Sequence, residues 1–457
     1  MEVLKLIETQ REYFNSNKTK EVEFRIAQLR QLYSAIKKNE ALLEDAIYKD
    51  FKKSKFDTYT TEIGLLYIDI KQNIKNIRKW SAIKKVKTNI ANFPGKSYCI
   101  PEPLGVTLII GAWNYPYLLS LAPSVAAIAA GNTVILKPSE VPENTSHAIA
   151  KIIGEHFDPK FFAVVEGGVS VTTELLNHKF DKIFFTGSVP VGKIIYQAAA
   201  KHLTPVTLEL GGKSPAFILE DCNLSVTVKR LIWGKFLNAG QTCIAPDYVL
   251  VHKSIEKQFL EKVKQEIDNS HFTIEDNNYV QIINNKNVER LAKLIDPAKI
   301  YCGGRVDVQS RIIEPTVLHN SSFDDEVMRD EIFGPILPVI SFENIAEAIA
   351  KVRALPKPLS CYVFTESVSH KQKILTEISF GGGAVNDAMM HIANPNFPFG
   401  GVGDSGIGSY HGEAGFKTFS HYKSILEKGT SLETPLKYYP HTAQKLKWAK
   451  RIMGNLS

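Results

Sequence analysis

The stretch VTLIIGAWNYPYLLSLAPSVAAIAAGNTVILKPSE (Val106–Glu140) decides the fold class. It is bounded by two short β-branched runs, VTLII (106–110) and TVIL (133–136), apolar but for one Thr in each rather than alternating. A strand with one wet face alternates; a strand covered on both faces does not, and parallel sheets are covered on both. Between the runs, Leu118 to Ala130 is the most apolar part of the chain, a buried helix that Pro123 is expected to break. The alternation continues with a helix from Thr145, FFAVV (161–165), a short helix, KIFF (182–185), a helix from Pro190 and VTLEL (206–210). Strands and helices in that order make an α/β domain, wound by right-handed crossovers like a nucleotide-binding domain.

The pattern extends in both directions. Upstream, Ile26, Leu29, Tyr33 and Ile36, then Leu43, Ala46, Ile47 and Phe51, repeat at helical spacing over residues 20–55, and Gly64 to Trp80 reads as a further helix. Downstream, a second α/β stretch begins near Lys213. It has AFIL (216–219), a helix through Leu231 to Phe236, YVLV (248–251), a helix from Ile255 to Ile267, CYVF (361–364) and AVN (384–386). Gly381-Gly-Gly383 and FPFGGVGDSGIG (397–408) are too glycine-rich for regular helix.

At 457 residues the chain is expected to hold two or three domains. The five cysteines are scattered without a CxxC pair, which argues against a disulfide framework or a zinc site and suits a cytoplasmic protein. The N-terminus lacks the apolar core of a signal peptide, and no apolar run is long enough to span a bilayer. Five of the basic residues and no acidic ones lie between Thr434 and Ser457, so most of the +7 net charge belongs to this tail. The near-neutral body weakens a nucleic-acid reading. With Leu446, Trp448 and Ile452 among its lysines, the tail suits peripheral contact with an anionic membrane surface or packing on a neighbouring subunit.

Several short motifs carry chemistry. In FLNAGQTCIAP (236–246), Cys243 follows a glycine-containing bend, which presents side chains; a small core hydrophobe in an inward loop is the other reading. TGSVPVG (186–192) closes a strand and opens a helix. Gly187 and Gly192 allow close backbone approach, Pro190 suits the first helical turn, and the helix N-terminus after Ser188 is available to an anion. In KPSE (137–140), Lys137 and Glu140 follow a strand and suit ribose hydroxyls; an exposed lysine beside a capping serine is the alternative. LELGGKSP (208–215) puts Glu209 at a strand end, either solvated or held at a site. Asn114 in GAWNYP (111–116) is either a turn residue or an amide donor to an oxyanion. DEIFGP (330–335) offers Glu331 and Phe333 to a ligand, or is an ordinary loop.

Taken together and in order, WNYP, KPSE, FFTGS..VG, LELGGKSP, GQTC, EIFGP and FPFGGVGDSG resemble the signature series of the NAD(P)-dependent aldehyde dehydrogenases, from about Ile7 to Lys437. NAGQTCIAPDYV and YHGEAGFKTFSH (410–421) resemble the class 3 branch, which acts on fatty and aromatic aldehydes and is usually dimeric. The resemblance implies an aldehyde-dehydrogenase-like α/β fold. It has a Rossmann-type cofactor domain (1–82 and 105–207), a catalytic domain (208–393), a small bridging β arm for oligomerisation (83–104 and 394–430) and a basic tail (431–457). It implies Cys243 as nucleophile, Asn114 and the Cys243 N–H as oxyanion donors, and Glu209 as the base that hydrolyses a thioester. It assigns Lys137 and Glu140 to the adenosine ribose of NAD, with NADP as a possible second cofactor. Gly187, Ser188 and Gly192 go to the pyrophosphate side, and Glu331 and Phe333 to the nicotinamide half. No metal is expected. Val189 stands where many members carry Thr, which removes a hydroxyl from the phosphate side, and Phe397 stands where Leu is frequent, which alters the substrate tunnel. Members that hand the acyl group to coenzyme A lack the glutamate at the position of Glu209, and a silent protein of the same fold would not need Cys243, Glu209 and Asn114 together.

Overall fold

The computed structural model describes residues 2–454. One compact unit takes the chain up to Trp80 together with Pro103–His421; a second takes Ser81–Glu102 and the chain from Tyr422 on.

The first unit carries two large sheets. One runs, from edge to edge, Gly406–Ile407, Val206–Glu209, Lys182–Thr186, Val106–Ile110, Thr133–Lys137 and Phe162–Val164. All but the short 406–407 edge strand are parallel. The runs that read as mostly apolar are fully buried strands. Their side chains alternate between two cores, as a period of two demands. Ile109, Val134, Leu136 and Phe184 pack in the core that includes the helices Val22–Lys38 and Gly64–Trp80. Leu108, Ile110, Ile135, Ile183 and Phe185 face a second core with Leu6, Ile7 and Ile195. The chain order reverses between Val106–Ile110 and Lys182–Thr186, which are hydrogen-bonded neighbours. That reversal is the switch point where a doubly wound sheet opens a crevice at its carboxyl edge.

The second sheet orders Ile300–Cys302, Thr316–Leu318, Ile336–Phe342, Tyr248–His252, Pro215–Ile218, Ser360–Phe364 and Gly382–Val385, and only its 300–302 edge is antiparallel. Thus the expected α/β class holds. One local expectation fails. Pro116–Ala130 is a single helix with Pro123 inside it, not a broken one. An interior proline costs about 3 kcal/mol in an exposed helix. Here all 15 residues are buried, and packing outweighs the lost bond.

In the second unit, Lys84–Val86, Gly95–Pro103 and Ser420–Lys428 form a three-stranded sheet, and Ala443–Gly454 is a helix with no buried residue. Among the described residues, no helix is long and apolar enough to cross a membrane.

Candidate active site

Strand register lines up one edge of the first sheet. Ile110 pairs with Lys137 and with Phe185, and Thr186 pairs with Glu209. The carboxyl ends of four strands therefore deliver Gly111–Asn114, Lys137, Thr186–Ser188 and Glu209 to one place. The chain then passes through 210–214 into the second sheet, whose amino ends follow the Cys243 loop (before Tyr248) and the Glu331 loop (before Ile336).

The cysteine loop is built on unusual backbone. Helix Leu224–Phe236 stops, and Asn238, Ala239 and Gly240 all take left-handed φ values of 55°, 53° and 70°. A Cβ at Gly240 would lie 2.3 Å from the Gly334 carbonyl oxygen, so this position needs glycine both for its φ and for space. Amides hold the loop in shape. Gln241 Nε2 donates to Asn238 O and Gln281 O, both at 3.1 Å, and its Oε1 accepts from Ile283 N at 3.0 Å. Asn114 is buried; its Nδ2 donates to Gln241 O at 3.0 Å, while its own carbonyl accepts from Asn238 Nδ2 at 3.1 Å. Tyr115 and Thr242 hydroxyls meet at 2.7 Å, and Tyr362 Oη donates to Ile244 O at 2.5 Å. Cys243 is thus gripped on both sides and remains half-buried.

Its surroundings are dry and acidic. Burial pushes the Cys243 thiol well up, and the charges of Glu331 and Glu209 push it further; the Cys243 and Ile244 N–H groups pull the other way. Glu209 is 3% exposed, neither carboxylate oxygen has a hydrogen-bond partner, and burial raises it well above the carboxylate range. Of the two readings left by the sequence, solvated or held at a site, the structure shows a buried carboxylate.

Glu331 lies with Oε2 against Gly211, where a Cβ would be 2.0 Å away. Burial, then Asp247, pushes it up to about 8, against the Gly212 N–H, Lys213 and Arg290. Its loop is clamped by groups that sequence reading left without roles. Asp247 Oδ1 accepts from Ile332 N at 3.0 Å, Lys213 Nζ spans Asp247 (2.5 Å), Val327 O (3.0 Å) and Asp330 O (2.9 Å), and Arg290 Nη2 donates to Ile332 O at 2.8 Å. Phe333 has φ 51° and meets Trp113 edge-on at 5.3 Å. Lys235 is fully buried with Nζ unpartnered, and burial lowers it to about 8. A buried lysine one position before Phe236 in a helical run carries no sequence signal of its own, and neither do the long-range amide bonds of Asn238 and Gln241.

On the other side of the crevice, Lys137 is buried and donates to Glu140 at 2.6 Å. Burial raises Glu140, but the Lys137 bond and charge outweigh it and hold the carboxyl below its usual range. Ser188 caps helix Val189–Ala200 by backbone position only, with no side-chain bond. Gly187 and Gly192 make room for protein: a Cβ would meet the Phe185 ring at 2.4 Å or Leu210 at 2.8 Å. In FPFGG the buried ring is Phe399, stacked on His391 and His411, whereas Phe397 is 53% exposed. A cavity of about 960 Å³, lined by Trp233, Phe236, Leu237 and Asn238 among others, reaches the cysteine loop only at its foot. Cys243, Glu209 and Glu331 do not line it.

A crevice at the switch point of a doubly wound sheet, beside a half-buried cysteine, a buried glutamate and a half-buried one, is the architecture of a nucleotide-binding α/β enzyme. The aldehyde dehydrogenase family model matches residues 1–425, and the chain belongs to that family. It is 45% identical to the 4,4'-diaponeurosporen-aldehyde dehydrogenase of Staphylococcus aureus over 97% of each chain. It is 44% identical to the dimeric NADP-preferring aldehyde dehydrogenase of Rattus norvegicus, covering 95% of this chain and 97% of that one. The solved Staphylococcus aureus AldH in its substrate-bound state superposes with a TM-score of 0.96 at 43% identity, over 99% of both chains. The expected family, its class 3 character and the α/β fold are borne out. The protein is an oxidoreductase that converts aldehydes to carboxylic acids with a nicotinamide dinucleotide.

Proposed function

We propose that Cys243 attacks the aldehyde carbonyl as a thiolate, with Asn114 Nδ2 and the Cys243 N–H receiving the oxyanion, and that Glu209, in its ionised form once water has entered the site, later takes a proton from the water that hydrolyses the thioester. The observation that carries this reading is the Asn114–Gln241 bond, which ties a buried side-chain donor to the backbone two residues before the cysteine. When bound, the dinucleotide supplies the hydride acceptor. The chain's residues suit it: Thr186 Oγ1 and Glu331 Oε1 are buried without partners, and the first turn of helix Val189–Ala200 has no side-chain cap. Lys137 and Glu140 would hold the adenosine ribose, Gly187, Ser188 and Gly192 the pyrophosphate side, and Glu331 and Phe333 the nicotinamide half. Residues 1–82 and 105–207 would form the cofactor domain and 208–393 the catalytic domain. The arm, 83–104 with 394–430, would join two copies into a homodimer. We read the substrates as medium- to long-chain aliphatic or aromatic aldehydes. NAD is the first cofactor and NADP the second, since Glu140 disfavours a 2′-phosphate yet, with its side chain 43% exposed, has solvent to turn into when it leaves Lys137. Cys243→Ala is expected to abolish NADH formation from benzaldehyde or hexanal while leaving NAD binding and melting temperature intact; turnover in a clean preparation of that variant refutes the assignment.

A further inference from the structure

Helix Pro116–Ala130 is buried along its whole length, so its first N–H groups cannot turn to water. Glu62 meets them instead: its Oε2 accepts from Tyr117 N at 2.8 Å and Leu118 N at 3.3 Å. A one-turn π-helix over Tyr59–Ile63 swings Glu62 into this position. Its other oxygen lies 2.8 Å from Lys53 Nζ, and the two side chains are 0% and 1% exposed. At the far end of the helix, Arg25 Nη1 donates to Ala129 O at 3.3 Å.

Capping alone does not require an ion pair. A neutral acceptor caps a helix well, and burying two charges brings a desolvation penalty that their attraction barely offsets. The cation has a second neighbour. Lys53 Nζ sits 4.1 Å from the centroid of the Tyr115 ring, a cation–π contact shielded from water. Tyr115 Oη is 2.7 Å from Thr242 Oγ1, the residue before Cys243. Tyr115 also follows Asn114, whose amide is bonded to Gln241 O. Contacts at hydrogen-bond or ring distance therefore run from the buried pair to Gln241 and Thr242, the two residues before the cysteine.

We propose that Lys53 and Glu62 are a positioning pair for aldehyde oxidation. Glu62 fixes the first turn of the helix and with it the Asn114–Tyr115 peptide. Lys53 fixes the Tyr115 ring, whose hydroxyl holds Thr242 in place. This inference rests on the reading that Asn114 and Cys243 serve the oxyanion and the attack.

The test compares Glu62→Gln, which keeps an acceptor for the two N–H groups, Lys53→Met, the double variant, and Tyr115→Phe. The NADH burst is measured by rapid mixing with NAD and benzaldehyde, NAD affinity by protein fluorescence, and stability by thermal melting. A 1 Å misplacement of a reacting group can cost about 10²-fold, so a smaller shift in each single variant is expected to lose about tenfold in burst rate with NAD affinity unchanged. The double variant removes the mismatched charge and is expected to regain melting temperature but not burst rate. Tyr115→Phe keeps the ring under Lys53, melts near wild type, and is expected to lose burst rate as well. If the burst rate follows melting temperature back up in the double variant, the pair is only structural and the proposal fails. A wild-type burst in Tyr115→Phe also overturns it, and does so even where the charge variants do not fold. Asn114→Ala and Cys243→Ala are run alongside; a wild-type burst in either removes the underlying reading and leaves the coupling through Tyr115 to be judged on the other four.

Discussion

A cysteine attacks carbonyls as its thiolate, and Cys243 in the free protein is held far from that state by burial and by Glu331 and Glu209. Its alkylation by iodoacetamide in the absence of cofactor should therefore climb about tenfold per pH unit from 7 to 9 without a plateau, as expected for a thiol titrating above that range. A plateau below pH 8, read by mass spectrometry of the Cys243 peptide, would show a preformed thiolate. On the proposed role of Glu209 as base of the second step, Glu209→Gln should keep the NADH burst, lose ~10²–10⁴ in steady turnover and accumulate an acyl adduct on Cys243. If burst and turnover fall together, Glu209 acts before hydride leaves the substrate. Glu140→Gln should raise the NADP/NAD ratio of kcat/KM; an unchanged ratio would take Glu140 away from the ribose. Glu331 carries a stability signature. Its folded-state value is raised to about 8, so its contribution is fully present below the ordinary carboxylate range and is lost as pH rises toward 8. Glu331→Gln should thus gain melting temperature relative to wild type between pH 5 and 8 and gain no more above it. At this scale the sequence showed which residues stand at strand ends and bends. It could not show that Glu209 has no partner, because that depends on what distant segments, the Cys243 loop and Tyr410 among them, bring beside it.

Elements were legible where burial is complete. VTLII, TVIL and KIFF became strands with almost the expected bounds because runs this short, rich in β-branched or aromatic residues and bounded by turns, suit a covered strand better than a helix. Ile336–Phe342 was not anticipated: Pro338 reads against a strand, yet it sits in one. The larger surprise is directional. Open parallel sheets bind ligands at their carboxyl edge, and the first sheet gathers Asn114, Lys137, Ser188 and Glu209 at that edge. The second offers its amino edge, since the Cys243 and Glu331 loops precede their strands. No local pattern reveals this; it follows from the short passage between Glu209 and Pro215, which sets the end of one sheet beside the start of the next. The join depends on Gly240. Alanine there would put a methyl against the Gly334 carbonyl at 2.3 Å on a left-handed backbone. Gly240→Ala is expected to destabilise by about 1–3 kcal/mol and, because both the cysteine and Glu331 loops must shift, to depress the burst rate as well. A variant with lowered stability and an untouched burst would mean that the two loops move independently of the chemistry.

At the scale of the whole chain, charge and core are separated. The tail from Thr434 holds five basic residues and no acidic ones, and none of its described side chains is buried. Its helix Ala443–Gly454 exposes Leu446, Trp448, Ile452 and Met453 beside those cations. The apolar spacing within it was visible in the sequence; that it forms a helix was not, since a short amphipathic segment is marginal in water without a surface to complete it. Deleting the chain from Thr434 onward removes no buried side chain among the described residues, so melting temperature and the NADH burst should stay at wild-type values. What should change is whatever reads an amphipathic basic helix. Sedimentation velocity with and without the tail measures self-association, and flotation with anionic vesicles measures adhesion, which salt should weaken if charge drives it. A shift in either with the burst intact assigns the tail to assembly or attachment. Loss of the burst in a truncated protein that still dimerises would instead make the tail part of the catalytic apparatus, and the boundary drawn between chemistry and surface would have to move.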